Sequence, residues 1–351
     1  MKFKIFAVFA FAALAAQFVL PVSADETAAR KAKVQTSQLV AMLPASDGVV
    51  TINTSRMMNE ALPRILASNQ PMLADVMSKI ESMQTKTGID LKSFDHVAIG
   101  VNAKQISAKD YEVEPVIIAR GTATTDSVIA AAKKAANGKY REERFENKVL
   151  YIFTVKEIAD AKVTADQKAK AGTWYGKITN GAFKEIALSV LSPNTVAFGT
   201  PSRVRETIEA KSKVGADVLE LLGKKEGAVM NMAMKVPAGM GQFLPLDGDD
   251  LGKSIESIKY LYGSMDVNGE AATMNVAART AQAKDAQSLF ETLEGLKAVG
   301  GMLLGNSKRP DQQLYARLIN YAAISRNGTD IGLDIRIPQS DIDALVAVLK
   351  K

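Results

Sequence analysis

The chain has 351 residues, 47% of them apolar and 23% charged, a balance that lets it bury a core rather than stay disordered. It carries no cysteine and one histidine, which excludes disulfides, a cysteine nucleophile, a lipid-modified cysteine, thiolate metal sites and a two-histidine metal site within one chain. The formal net charge of +6 comes with lysine and glutamate interspersed throughout, the pattern of a solvated mixed surface rather than of a nucleic-acid-binding one.

Lys2 and Lys4 precede a purely apolar run over residues 5–16, and Val22-Ser23-Ala24 follows as a small-residue cleavage pattern. This layout predicts a secretory signal peptide over 1–24 and an exported chain, periplasmic or extracellular, beginning at Asp25. The alternative is a retained anchor. The run is shorter than the roughly 18 residues a spanning helix needs, and Gln17 and Pro21 interrupt it. No transmembrane segment is expected after cleavage. Residues 25–38 read as a polar tether.

Folded elements follow. Residues 49–53 are rich in β-branched side chains and preceded by the turn signal Ser46-Asp47-Gly48. A helical pattern from Ser55 breaks at Asn69-Gln70-Pro71, then resumes with Met72, Leu73, Val76, Met77, Ile80 and Met83 on one face. Two strands come next, one alternating Val97, Ile99 and Val101 with His96, Ala98 and Gly100, the other over 116–120. Thr124 or Thr125 caps a helix that Asn137-Gly138 ends, and 141–153 reads as a hairpin about Glu146-Asn147-Lys148. An Ala/Lys/Asp-rich insertion near 155–175 lacks bulky apolar periodicity. Strands over 186–191 and 195–199 then lead into a helix starting at Thr200-Pro201.

The second half gives a strand over 229–236, a helix over 250–257 and a hairpin about Asn268-Gly269. A helix with Ala286, Leu289, Phe290, Leu293 and Leu296 on its core face follows. A second Asn-Gly hairpin turns at Asn327-Gly328, and the last helix has a Ser340…Asp343 capping box. Ala119-Arg120-Gly121-Thr122-Ala123 and Ala278-Arg279-Thr280-Ala281 stand before equivalent helices. The fold expected is α+β, with two similar units of mainly antiparallel sheet packed with helices, over 39–222 and 223–351 and joined through 211–227.

Leu43-Pro44-Ala45-Ser46-Asp47-Gly48 before one strand, Gly88-Ile89-Asp90-Leu91 before another, and Thr195-Val196-Ala197-Phe198-Gly199-Thr200 before a helix occur in an order that resembles a family of exported bacterial proteins of unknown function built from duplicated α+β units. The resemblance implies an envelope or secreted location and a two-unit fold. It carries over no active-site residue.

Candidate chemistry is sparse. His96 could act as a base, but its strand face is shared with Ala98 and Gly100, where a helix could lie close, which favours a packed or edge histidine. The chain has no Gly-x-Ser-x-Gly elbow and no Ser-x-x-Lys pair. Gly248 to Ser254 resembles a phosphate loop but has three residues between its glycines where four are required. Asp247, Asp249, Asp250 and Glu256 fail the EF-hand spacing, since Leu251 and Ile258 stand at ligand positions. Met230, Met232 and Met234 suit soft Cu(I) chemistry, yet their alternation with Asn231, Ala233 and Lys235 is that of a core-facing strand. Trp174 and Tyr175, with Lys168 and Lys170, form a candidate partner surface or an anchor for the insertion.

No cofactor or metal is expected. The reading that follows is an exported, non-catalytic cell-envelope or secreted binding or structural protein, whose partner is another envelope protein or surface. The alternative is a carrier of an apolar ligand in a Met-lined cavity. An enzyme fits least, because no nucleophile, base and orienter stand in recognisable arrangement.

Overall fold

A computed structural model describes residues 36–87, 90–105, 111–154, 185–224, 227–237, 254–268 and 271–349. By their contacts they form two compact units: an N-unit of Lys33–Ser55 with Asp75–Ala216, and a C-unit of Arg56–Ala74 with Asp217–Lys351. The stretch 56–74 therefore belongs with the C-unit although most of the N-unit follows it in sequence. The α+β class expected from the sequence is the class observed.

The N-unit contains β1 (Gly48–Asn53), β2 (Phe94–Gln105), β3 (Tyr111–Gly121), β4 (Arg141–Phe145), β5 (Lys148–Thr154), β6 (Glu185–Ser192) and β7 (Thr195–Gly199). Their lateral order is β1-β2-β3-β7-β6-β5-β4, and the pairs are antiparallel. Helix α1 (Gln70–Thr87) is capped by Asn69, whose side chain accepts from the Met72 N–H at 3.2 Å; its Met72, Leu73, Val76, Met77 and Ile80 are half-buried, as the periodicity predicts. Thr124 caps α2 (Thr125–Ala135) through the Ser127 N–H, and Asn137 (φ 50°) with Gly138 (φ 74°) ends it in the left-handed region. Glu146 (φ 51°) makes the β4–β5 turn.

Helix α2 covers one face of this sheet, closing a cluster of Val128, Ala136, Phe153, Leu188 and Val196. The other face is read off the strand registers in rows. Asn53, His96, Arg120 and Thr195 form one row, Thr51, Ala98, Ile118 and Ala197 the next, and Val49, Gly100, Val116 and Gly199 the third. Residues 36–46 cross these rows as a strap: Arg120 reaches Gln38 at 2.7 Å, while a Cβ on Gly100 would meet Ser46 Oγ at 2.5 Å and Leu43 at 3.2 Å. Leu39 and Leu43 are wholly buried there. At the far end Arg203 of α3 (Pro201–Glu209), itself buried, donates to the Ala45 carbonyl (2.8 Å) and Ser46 Oγ (2.7 Å) and pairs with Glu206.

After the helical stretch within 56–74, the C-unit continues with α4 (Ala216–Leu222), β8 (Met230–Lys235), β9 (Ile258–Asn268), β10 (Ala271–Thr280), α5 (Ala283–Gly305), α6 (Pro310–Asn320), β11 (Ala322–Asn327), β12 (Asp330–Pro338) and α7 (Gln339–Leu349). The strand order is β8-β9-β10-β12-β11, again antiparallel. This repeats β1-β2-β3-β7-β6 of the N-unit, to which β5 and β4 are added. One face is apolar. Ala286 and Leu289 of α5 close on Ile331, with Ile258, Ala278, Leu293 and Ile324 around them, and Ile342 and Val346 of α7 are buried.

Four expectations are corrected. The stretch 211–227, expected as a join, contains α4, whose Val218 and Leu221 are buried. Helix α6 lies where no element was expected; Pro310 at its first turn and buried Leu314 and Ala316 account for it. Leu296 does not face the core but is 48% exposed, because α5 carries its apolar residues around a second side after Leu293. The Ser340…Asp343 box does not start α7: the helix begins at Gln339, and Asp343 accepts from Gln339 Nε2 and Ser68 Oγ, both at 2.7 Å.

Candidate functional site

The feature that folding leaves unexplained lies on the C-terminal half of α5. Its N-terminal half is an ordinary amphipathic helix seated by Ala286 and Leu289. Beyond Leu293, α6 takes over as its neighbour: a Cβ on Gly300 would stand 3.3 Å from Ile319 Cδ1, and one on Gly301 3.2 Å from Asn320 Oδ1. The glycine pair thus sets how closely the two helices approach. On the other side Leu296, Val299, Met302 and Leu303 are 48%, 56%, 67% and 66% exposed.

At about 100° per residue these four fall within an arc of about 120°. Ser288, Thr292 and Gly295 extend the same arc toward the N-terminus, so from Ser288 to Leu303 it carries no charge. Thr292 turns its hydroxyl back to the Ser288 carbonyl at 2.8 Å. The result is a convex apolar ridge, with Lys308 and Arg309 just past its end. Its exposed area is about 400–500 Å², the size at which the largest patch on a monomer is often functional. The four side chains could release on the order of 10 kcal/mol on complete burial, before the cost of association.

A second cluster occupies the polar face of the C-unit sheet. Asp330 accepts from Arg279 Nε (2.7 Å) and Nη2 (3.0 Å), Tyr262 OH (2.8 Å) and Lys224 Nζ (3.2 Å). Burial alone would raise the Asp330 pKa, but hydrogen bonds from Arg279, Tyr262 and Lys224 prevail and hold it at about 2. Burial pushes Tyr262 up. Tyr260 donates to Asp217 at 2.8 Å, which with Lys235 lowers that carboxyl. A carboxylate near 2 is a weak base at neutral pH, and a tyrosine pushed up is a weak nucleophile. The network closes on itself and fixes α4 and Lys224 to the sheet.

The residues singled out by sequence are placed as follows. Trp174, Tyr175, Lys168 and Lys170 lie outside the described residues, as do Asp247, Asp249 and Asp250. His96 is packed, 6% exposed, on the face shared with Ala98 and Gly100, as its alternation predicts. Met230, Met265, Met274 and Ile335 form one cross-strand row in which Met265 is buried and the others are half-buried. The fully buried residue of β8 is Ala233, on the opposite face, so both faces of that strand are covered in part. Among the described residues no group of three or more His, Asp or Glu side chains could hold a metal ion. A shallow depression in the N-unit is bordered by Met42, Leu191, Ile208, Lys148 and Lys213, not by the methionine row.

The ridge escaped the sequence reading because residues 298–305, Ala-Val-Gly-Gly-Met-Leu-Leu-Gly, continue the helix with apolar residues at 299, 302 and 303, away from the core stripe through 286, 289 and 293. That change of side was legible in the spacing.

Among solved structures, three crystal forms of TP0453 are similar. They have TM-scores of 0.43, 0.41 and 0.43 and identities of 10%, 10% and 9%, over 88%, 89% and 88% of this chain and 97%, 98% and 96% of theirs. No family model matches the chain, and no curated protein matches it.

Proposed function

We propose that this chain is an exported, non-catalytic binding protein of the cell envelope or the secreted space, which seats the α5 ridge in an apolar groove of a partner protein. The observation that carries the reading is the ridge: Leu296, Val299 and Leu303 stand at i, i+3 and i+7, the anchor spacing of a helix laid into a groove. Pairing with a second copy through the same ridge would bury about 900 Å² in total, short of the roughly 1,600 Å² of a standard interface. A groove also covers the flanks of the helix and meets that size. The leader-like layout of residues 1–24 supports export. In the same reading the two units are copies of one duplicated arrangement, supported by their shared strand order and by the matching Arg120 and Arg279 segments.

The test is native mass spectrometry of the protein gently recovered from its host, beside the variant Met302→Glu/Leu303→Glu. The expected result is a mature N-terminus at Asp25 and a protein adduct that the double variant loses while keeping its circular dichroism. An adduct undiminished in the variant would place the contact elsewhere. Lipid adducts in its place would favour the carrier.

A further inference from the structure

Neither ring nitrogen of His96 has a protein hydrogen-bond partner, although the residue is only 6% exposed in a row of four polar residues. The strap of residues 36–46 meets that row at Arg120, through Gln38. We propose that His96 and the strap form an acid-released latch: protonation of the imidazole lifts residues 36–46 from the N-unit sheet and uncovers the apolar seat of Leu39 and Leu43.

The groups facing His96 decide the sign. On β3 its cross-strand neighbour is Arg120, a permanent cation whose bonds go to neutral atoms, Thr195 Oγ1 at 3.2 Å and Gln38 Oε1 at 2.7 Å. On β1 its neighbour is the uncharged Asn53. The strap contributes Thr36, Ser37 and Gln38 at this end, none of them charged. Asp95, beside His96 at the irregularity in β2, is the nearby carboxylate and makes the imidazole more basic. Burial makes it less so and is the larger effect, with Arg120 adding to it. At the strap's far end Arg203 and Glu206 pair with each other. A proton on His96 therefore creates a buried cation beside the half-buried Arg120, in a row of residues that contains no carboxylate.

Lifting the strap lets water reach the imidazolium and completes the solvation of Arg120. It also frees Arg120 from Gln38, so the first contact to open is the one beside the histidine. The imidazole is more basic when released than when docked. Docking is thus unaffected above the ordinary histidine value of 6.5 and weakens below it, by up to about tenfold in the docked-to-released ratio per pH unit. Because His96 is the one histidine of the chain, no other imidazole contributes in that window.

Two measurements test the latch. The single histidine gives one imidazole Hε1 resonance in an NMR titration, expected to titrate below the ordinary value of 6.5; a midpoint at 6.5 or above would overturn the proposal. Hydrogen exchange of residues 36–46, corrected for intrinsic rate, should lose about tenfold or more of its protection between pH 7.5 and 5.0, while β9 and β10 keep theirs. The loss should vanish in His96→Gln and in His96→Phe. Should the larger phenylalanine disturb the fold, glutamine decides alone, and an equal loss in that variant would refute the role of His96.

Discussion

Replacing Asp330 with asparagine keeps the side chain's size and removes its charge, leaving Arg279, Tyr262 and Lys224 gathered around a neutral amide. In the folded chain the carboxyl is held at about 2 against an ordinary 3.8, since three donors overcome the opposing effect of burial. That difference corresponds to about 2.5 kcal/mol of stability at neutral pH. The side chain is 19% exposed, so solvent screens little of it. A folded value below the unfolded one gives a contribution that is complete above about pH 4 and is lost as the pH falls toward 2. Asp330→Asn should therefore lower stability by about 2–3 kcal/mol at pH 7, a fall of roughly 5–10 °C in Tm. The gap from the parent should close on acidification. Urea unfolding followed by circular dichroism at pH 7, 4, 3 and 2.5 reads both. A loss under about 0.5 kcal/mol at pH 7, or a gap that stays constant down to pH 2.5, would refute the charge-network account.

Four further outcomes follow. Gly121→Ala puts a Cβ 1.9 Å from the Ser93 carbonyl oxygen and 2.5 Å from Phe94 Cα, both backbone atoms, and should cost about 3 kcal/mol in urea unfolding. Gly138→Ala meets nothing within 4 Å and should cost only the left-handed φ of 74°, about 1 kcal/mol. Leu289→Ala should cost about 2–5 kcal/mol as a cavity in the C-unit core, whereas Leu296→Ala on the same helix should stay within about 0.5 kcal/mol; equal losses would mean that the ridge is packed. Deleting residues 159–171, which lack an apolar stripe, should leave Tm nearly unchanged in differential scanning calorimetry, and a large drop would show that this stretch contributes to the core.

Much of the fold was legible because punctuation and periodicity agreed. Asn137-Gly138, Asn327-Gly328 and Thr200-Pro201 each mark a boundary within a residue or two of the observed one, since left-handed turns and helix first turns accept few residue types. What was not legible came from tertiary context. Nothing local says that α6 will pack on Gly300 and Gly301, and a helix with apolar residues on two sides does not announce which side its neighbours leave bare. The capping box failed because Ser68 and Gln339, distant from each other in sequence, both compete for Asp343. His96 was placed on the right face by alternation. Its lack of partners depends on what crosses that face, which strand periodicity does not reveal.

The arginines near the ends of β3 and β10 show how the same strand order holds different chemistry in the two units. Arg279 faces Tyr260 across β9 and receives a carboxylate, Asp330, from the first residue of β12. Arg120 faces His96 across β2 and receives a hydroxyl, Thr195, from the first residue of β7. The C-unit row is thus neutralised and the N-unit row is not, though both have the same register logic. Acid should then act on the units in order. The N-unit row gains a destabilising charge once the pH drops below the histidine range, while the Asp330 network keeps its charges until the pH approaches 2. Between those limits the strap should loosen while the C-unit sheet stays intact. A single cooperative acid transition, with loss of exchange protection in β2 and β10 coinciding below pH 4, would show that the uncompensated row at His96 has no separate consequence.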